Sequence, residues 1–490
     1  MDRRIANAIV VAIVIISVAS IYYIYAAGAI SPINKILAGI VAMGIAGVLI
    51  QRAKGLVGGY GAYMVGGRRG IATVDSMSKR NSGFWHSMAI WGLILGFGLL
   101  SYPLIRRKMD RLYLFGMVSL AFMYLFVFPY TIVSLQFINI PQLQAFSYAS
   151  SLASSSPLSL SFSLSPVYIA TTIVTVVVGF AGYTFALLVY NAGLILGGVV
   201  QFVSSLAGGV SNTTPLASQV PGVAPLIPGI DIPLLAGVLS LAILLVIHEF
   251  SHGVLARMFK VRLKSIGVLL FGIIPIGAYV EPDEKAVSRL AGIKQTKIIS
   301  AGISANFIAA FAFFLLTLGV VYVVAPHFYS YGVVIASTLP NYPANGIIPV
   351  GAQVLSWNNV PVASLQNVSA AGATDAPNKT VTVGTDRGNY TLMAVASPAN
   401  ATKGIIGVHL GYGPLLRNPP ARLVYFFFTL FSLSMLLNFL VAIVNLLPVP
   451  IFDGWRIYKI NIKDQRIVKG LAWLVVIALL VNVVPWAFYL

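Results

Sequence analysis

Residues 232–256 read IPLLAGVLSLAILLVIHEFSHGVLA, and this stretch decides the fold. As a helix rising 1.5 Å per residue it is long enough to cross the roughly 30 Å hydrocarbon core of a bilayer. Its only ionisable residues, His248, Glu249 and His252, fall together near its end. Ionisable groups in a span cost several kcal/mol and mark function by default. The stretch therefore predicts a membrane helix that carries chemistry.

The same apolar texture extends in both directions. Hydrophobic residues make up 58% of the 490 and charged residues 9%, with mean hydropathy +0.90. A soluble domain carries roughly a quarter charged residues. Between Leu112 and Ile230 there is no Asp, Glu, Lys or Arg. A soluble globular enzyme and a disordered tail are both excluded. Further apolar runs are Ile5–Ala26, Ile30–Ile50, Phe84–Leu104, Leu112–Ile132, Val167–Val200, Ile298–Val324, Leu423–Leu447 and Val468–Tyr489. Val167–Val200 is long enough for one tilted span or a tight pair. The expectation is an α-helical polytopic membrane protein of about 8–10 spans. The shorter piece Ile266–Val280 is broken by glycines and Pro275, and reads as re-entrant or strand-like.

Net charge is +19, from 31 basic and 12 acidic residues. The basic residues cluster in short segments between apolar runs, the pattern of cytoplasmic loops facing anionic lipid rather than nucleic acid. Arg257–Lys297 and Arg456–Lys469 are two such clusters, so the stretch from His327 to Arg422 is expected outside. Asn-x-Ser/Thr sequons at Asn367, Asn378, Asn389 and Asn400 agree, with one more at Asn212 in a Pro/Gly linker. Basic segments flank Phe84–Leu104 on both sides, which one crossing cannot satisfy, so the N-terminal topology stays open. Arg3 and Arg4 precede an apolar run longer than a signal-peptide core, which favours a first membrane anchor. Cysteine is absent, which excludes disulfides and thiolate ligands.

Five regions follow: 1–135, membrane spans with basic loops; 136–231, an uncharged region with a Ser-rich linker; 232–326, the first part of a membrane core; 327–422, an external β-rich domain; and 423–490, the second part of the core. Within the external domain, Gly332–Ala336, Gln353–Trp357, Thr380–Gly384 and Tyr390–Val395 read as short strands between Asn/Gly/Pro/Asp turns.

On a helix, His248 and His252 project from one face, the spacing with which two imidazoles hold one Zn²⁺, while Glu249 is placed to act as general base. Such a site needs a third protein ligand. His86, His327 and His409 are poor candidates by position. Asp453 is better placed, because Pro448 and Pro450 break the preceding span and swing it back toward the bundle. Glu281 and Glu284 are the rival third ligands, for a membrane protease acting on non-membrane segments. A divalent-metal transporter using His248, Glu249 and His252 is the non-enzyme alternative, although such proteins usually show paired broken helices.

His248–His252 together with Asn445–Gly454 resembles the site-2 protease family of intramembrane zinc metalloproteases, which pairs a HExxH helix with an Asn-x-x-Pro-x-Pro-x-x-Asp-Gly segment. Ile276–Glu284 resembles the membrane-inserted strand of eukaryotic and archaeal members. Ser300–Asn306 is similar to the family's Ala-Gly-x-x-x-Asn motif, with Ile303 where Pro is common, and Phe452 replaces the usual Leu. The resemblance covers roughly residues 232–469. It implies that His248, His252 and Asp453 bind Zn²⁺ and that Glu249 is the catalytic base. It implies too that Asn306 and Asn445 hold the substrate strand or stabilise the oxyanion, against the plainer reading of helix–helix contacts. The expected substrates are single-pass membrane proteins or signal-peptide remnants, and the β-rich insert is expected to be PDZ-like. An archaeal plasma membrane is the favoured location, a eukaryotic endomembrane the other.

Overall fold

A computed structural model describes residues 3–26, 32–67, 69–105, 110–131, 166–208, 222, 226, 228, 232–328, 331–339, 341–398, 400–415 and 419–485. The Ser-rich linker at 147–165 and the sequon at Asn212 lie outside these residues. Among those described, nine helices are long and apolar enough to cross a membrane. The chain is thus a polytopic membrane protein.

In chain order the helices begin with α1 (Arg3–Ala26) and α2 (Pro32–Lys54), followed by strands β1 (Gly58–Gly59) and β2 (Ala62–Gly67). Next come α3 (Arg69–Arg80), α4 (Ser82–Phe97), the short α5 (Ser101–Ile105), α6 (Arg111–Phe122) and α7 (Pro166–Ala207). Helix α7 is two helical segments joined at Gly179, whose backbone is non-helical and packs backbone to backbone against the break after α4 at Gly98. Neither break carries an acid or a histidine.

The membrane core is built from α8 (Leu234–Met258), α10 (Gly292–Gly319) and α12 (Pro419–Val444). Residues Thr296–Phe307 of α10 are buried without interruption, because α4, α8 and α12 surround it. Small residues allow that approach: Gly92 of α4 lies directly against Ser304. Between α8 and α12 the contact is polar, with Ser434 Oγ donating to Ser240 Oγ at 3.0 Å.

After α8 the chain forms a hairpin of β3 (Leu263–Phe271) and β4 (Ile274–Pro282), the element expected from the Gly-broken segment Ile266–Val280. The N-terminal half extends it. Strand β2 pairs antiparallel with β3, Ala62 opposite Phe271 and Gly67 opposite Ile266, giving a four-stranded sheet in the order β1-β2-β3-β4. Among the described residues strand β4 is a free edge, and it lies along α8. Helix α3 buries Val74 among Val254, Leu255 and Ala301, and its Asp75 pairs with Arg257 at the end of α8.

A short helix α9 (Glu284–Ser288) precedes α10, and the β-rich insert follows it. The insert starts with β5 (Tyr331–Thr338), and β6 (Val354–Trp357), β7 (Val360–Pro361), β8 (Thr380–Thr385) and β9 (Gly388–Met393) form a sheet in the order β7-β6-β8-β9. Helix α11 (Leu365–Ala371), capped by Ser364 and Asn367, packs on this sheet through Val368. Strands β10 (Val395–Ser397) and β11 (Asn400–Ile405) pair with each other. The last strand, β12 (Val408–Pro414), returns along β5, with Pro414 opposite Tyr331. The insert therefore leaves the core and rejoins it at one place. Its own core gathers Ile335, Val354, Val381 and Val383.

Helix α12 stops at Val444, and the chain turns through Pro448 and Pro450 before α13 (Asp453–Asn461) and α14 (Gln465–Val483). The turn closes on itself, with the Gly454 N–H donating to the Asn445 carbonyl at 2.6 Å. A Cβ at Gly454 would stand 2.5 Å from the Leu446 carbonyl oxygen, so only glycine admits the closure that starts α13 at Asp453.

Candidate metal centre and active site

Three ligand-type atoms converge where α8 meets the Asp453 turn. His248 Nε2 and His252 Nε2 lie 3.2 Å apart, and Asp453 Oδ2 is 3.2 Å from the first and 3.1 Å from the second. Their side chains are 10%, 14% and 18% exposed, so the cluster is sheltered but reachable.

The hydrogen bonds behind the rings decide what these atoms present. His252 Nδ1 lies 2.8 Å from the Ile298 carbonyl, which can only accept, so Nδ1 carries the ring proton. In the neutral ring such a proton leaves a lone pair at Nε2 facing Asp453, whose Oδ2 lies close to both ring nitrogens and has no well-aligned hydrogen-bond donor among the described residues. Electron-rich atoms so arranged repel one another unless a cation lies between them. Tetrahedral zinc ligands at about 2.0–2.1 Å from the ion stand roughly 3.3 Å apart, close to the separations here. Two imidazoles and a carboxylate are also the donor set that zinc takes in open, catalytic sites.

Space for the ion comes from Gly302 of α10. A Cβ there would be 2.5 Å from His252 Nε2 and 2.6 Å from His248 Nε2. Among the described residues, His248, His252 and Asp453 form the one group of three that could hold a metal. The rival acids are engaged elsewhere. Glu281 accepts from Lys264 Nζ at 3.1 Å and Ser265 Oγ at 2.9 Å, and these donors hold its carboxyl below its ordinary range. Glu284 accepts from Arg456 at 2.7 Å. His327 and His409 are exposed in and beside the insert, and His86 lies 3.1 Å from Lys297 Nζ.

Glu249 is half-buried and points to the free edge of the sheet, where its Oε2 accepts from the Val280 N–H at 3.3 Å. Asn306 is wholly buried and lies 3.1 Å from His248 Nδ1. Asn445 is half-buried at the start of the turn, and its side chain makes no hydrogen bond among the described residues.

Three contributors escape a reading of the sequence. Gly302 has a signal, its place in Ala301-Gly302, but the reason for it is visible only against the two rings. The Ile298 carbonyl and the Val280 N–H are main-chain groups and leave no signature.

The model of peptidase family M50 matches residues 236–486, just over half of the chain. An uncharacterized protein of Methanocaldococcus jannaschii is 26% identical over 264 residues, 52% of this chain. The match spans 66% of that relative's length.

Proposed function

Since the chain belongs to peptidase family M50, a family of membrane metalloproteases, we propose that it is a zinc-dependent intramembrane endopeptidase of the site-2 type. The observation that carries this reading is the convergence of His248 and His252, on a helix of membrane-spanning character, with Asp453 beside Glu249.

In this reading His248, His252 and Asp453 hold Zn²⁺. The ion supplies Lewis-acid polarisation of the scissile carbonyl and lowers the pKa of water. Glu249 takes the proton of the attacking water and passes it to the leaving amine. Asn445, whose main-chain carbonyl accepts from the Gly454 N–H next to Asp453, donates its side-chain amide to the oxyanion as the scissile carbonyl becomes tetrahedral. A transmembrane helix hides its peptide bonds in its own hydrogen bonds, so the substrate must first be unwound. Strand β4 presents a free edge next to Glu249, on which an unwound segment can pair as an added strand.

The β-rich insert is a PDZ-like extracytoplasmic domain in this proposal, supported by its strand order, the helix at 365–371 and the pairing of its two ends. It excludes substrates with bulky outer parts. Those substrates are single-pass membrane proteins or signal-peptide remnants, and the archaeal relative favours an archaeal plasma membrane.

The test is bound zinc in detergent-purified protein, followed by cleavage of single-pass helices. One zinc per wild-type chain, lost in both His248→Ala and Asp453→Asn, is the expected result. Full zinc in Asp453→Asn would break the assignment.

A further inference from the structure

His248 turns Nε2 toward Asp453 and His252, and Nδ1 toward Asn306 at 3.1 Å. A neutral imidazole that ligates a metal through Nε2 carries its proton on Nδ1, which then needs an acceptor. The amide atom standing there is Nδ2, itself a donor, while Asn306 Oδ1 is buried with no partner. The two amide atoms are nearly isosteric, and a half-turn of the amide exchanges them. That one rotation removes a donor–donor clash and pairs the orphaned oxygen, leaving Nδ2 as the amide atom without a partner.

We propose that Asn306 is a positioning residue for the metal centre: its Oδ1 accepts the His248 Nδ1 proton and fixes the tautomer and ring plane that aim Nε2 at the ion. The proposal rests on the zinc reading given above. It also changes the role expected of Asn306. At 0% exposure, behind the ring, Asn306 has no surface for a substrate strand, so it acts on the reaction only through His248.

The placement on α10 supports this. Ile298, Gly302 and Asn306 recur every four residues and form one stripe of the helix. Gly302 in the middle leaves room at both Nε2 atoms, and the residues on either side each meet one Nδ1. For His252 the acceptor is a main-chain carbonyl, which no substitution removes. For His248 the acceptor is a side chain, so this ring's orientation depends on residue 306. A buried amide serving only as helix–helix contact would use both its atoms between helices, and here the atom facing away from His248 has no partner among the described residues in either orientation.

The experiment compares wild type with Asn306→Leu, which has similar volume and no acceptor, and Asn306→Asp, which keeps one. Zinc affinity is read by chelator competition, the ligand field from the visible spectrum of the Co²⁺-substituted protein, and folding from thermal unfolding of the metal-free form. Losing an outer partner of this kind typically weakens metal binding about 10–100-fold. Asn306→Leu should fall in that range with an altered Co²⁺ spectrum, while Asn306→Asp stays near wild type in both. Asn306→Ala gives the same reading should the leucine variant not fold. Wild-type zinc affinity in Asn306→Leu overturns the proposal, as does an equal loss in a folded Asn306→Asp. Zinc absent even from wild type removes the metal reading itself, and the proposal with it.

Discussion

The Val280 N–H donates to Glu249 Oε2 across 3.3 Å, tying the edge of the sheet to the carboxylate beside the two histidines. In an antiparallel ladder alternate residues turn their backbone groups outward, so Val280 and Ala278 both face away from β3. A substrate strand pairing there would compete with Glu249 for the same donor and release the carboxylate as it binds. Val280→Pro tests this. Proline is tolerated on an edge strand where its missing N–H faces outward, so the sheet should survive. Turnover of a helical substrate should drop at least about tenfold, with bound zinc unchanged. Wild-type turnover would count against pairing at this edge.

Glu249→Gln keeps the size of the side chain and removes the base. Cleavage should slow by about 10²–10⁴, while metal analysis still finds zinc at the wild-type level. Loss of zinc along with activity would make Glu249 a ligand rather than a base.

Gly302→Ala separates metal geometry from helix stability. Alanine favours a helix over glycine by about 1 kcal/mol, which offsets part of the strain of the added Cβ, so the metal-free protein should unfold close to wild type. The added Cβ would stand 2.5 Å from His252 Nε2 and 2.6 Å from His248 Nε2, and both rings are held from behind. Zinc affinity should therefore fall by at least about tenfold. Undiminished affinity in a titration would show that the rings have freedom the structure does not suggest.

Excision of residues 331–414 is feasible because Tyr331 and Pro414 pair across β5 and β12, so a short linker can join the cut ends. With the insert gone, substrates with long ectodomains should be cleaved at nearly the rate of truncated ones. A ratio of the two rates equal to wild type would remove the filtering role.

Much of the centre could be read from residue spacing because its side chains announce themselves. Two histidines four apart on an apolar run, and an Asp after a double proline break, are rare in a chain with only 12 acids. The strands of the insert were also legible, since alternation and turn residues are local signals. Strand β2 was not. Its sequence, AYMVGG at 62–67, is glycine-rich, and its partner β3 is remote in the chain. Nor does sequence alone settle the basic residues on both sides of Phe84–Leu104. In the structure His86 sits near the start of α4 beside Lys297, and Phe97 at its end packs on Tyr458. Both partners lie in the two basic clusters.

The sheet beside Glu249 joins strands from opposite halves of the chain, and this constrains the order of biogenesis. Strand β2 leaves the ribosome about two hundred residues before β3, a delay of roughly 10–40 s at usual elongation rates. During that interval the two-residue β1 is the one partner from this sheet that its backbone has. The edge offered to substrate cannot be aligned until α8 has been made and the hairpin after it has met β2. A nascent chain thus acquires its histidines before it acquires the surface that would present a peptide to them.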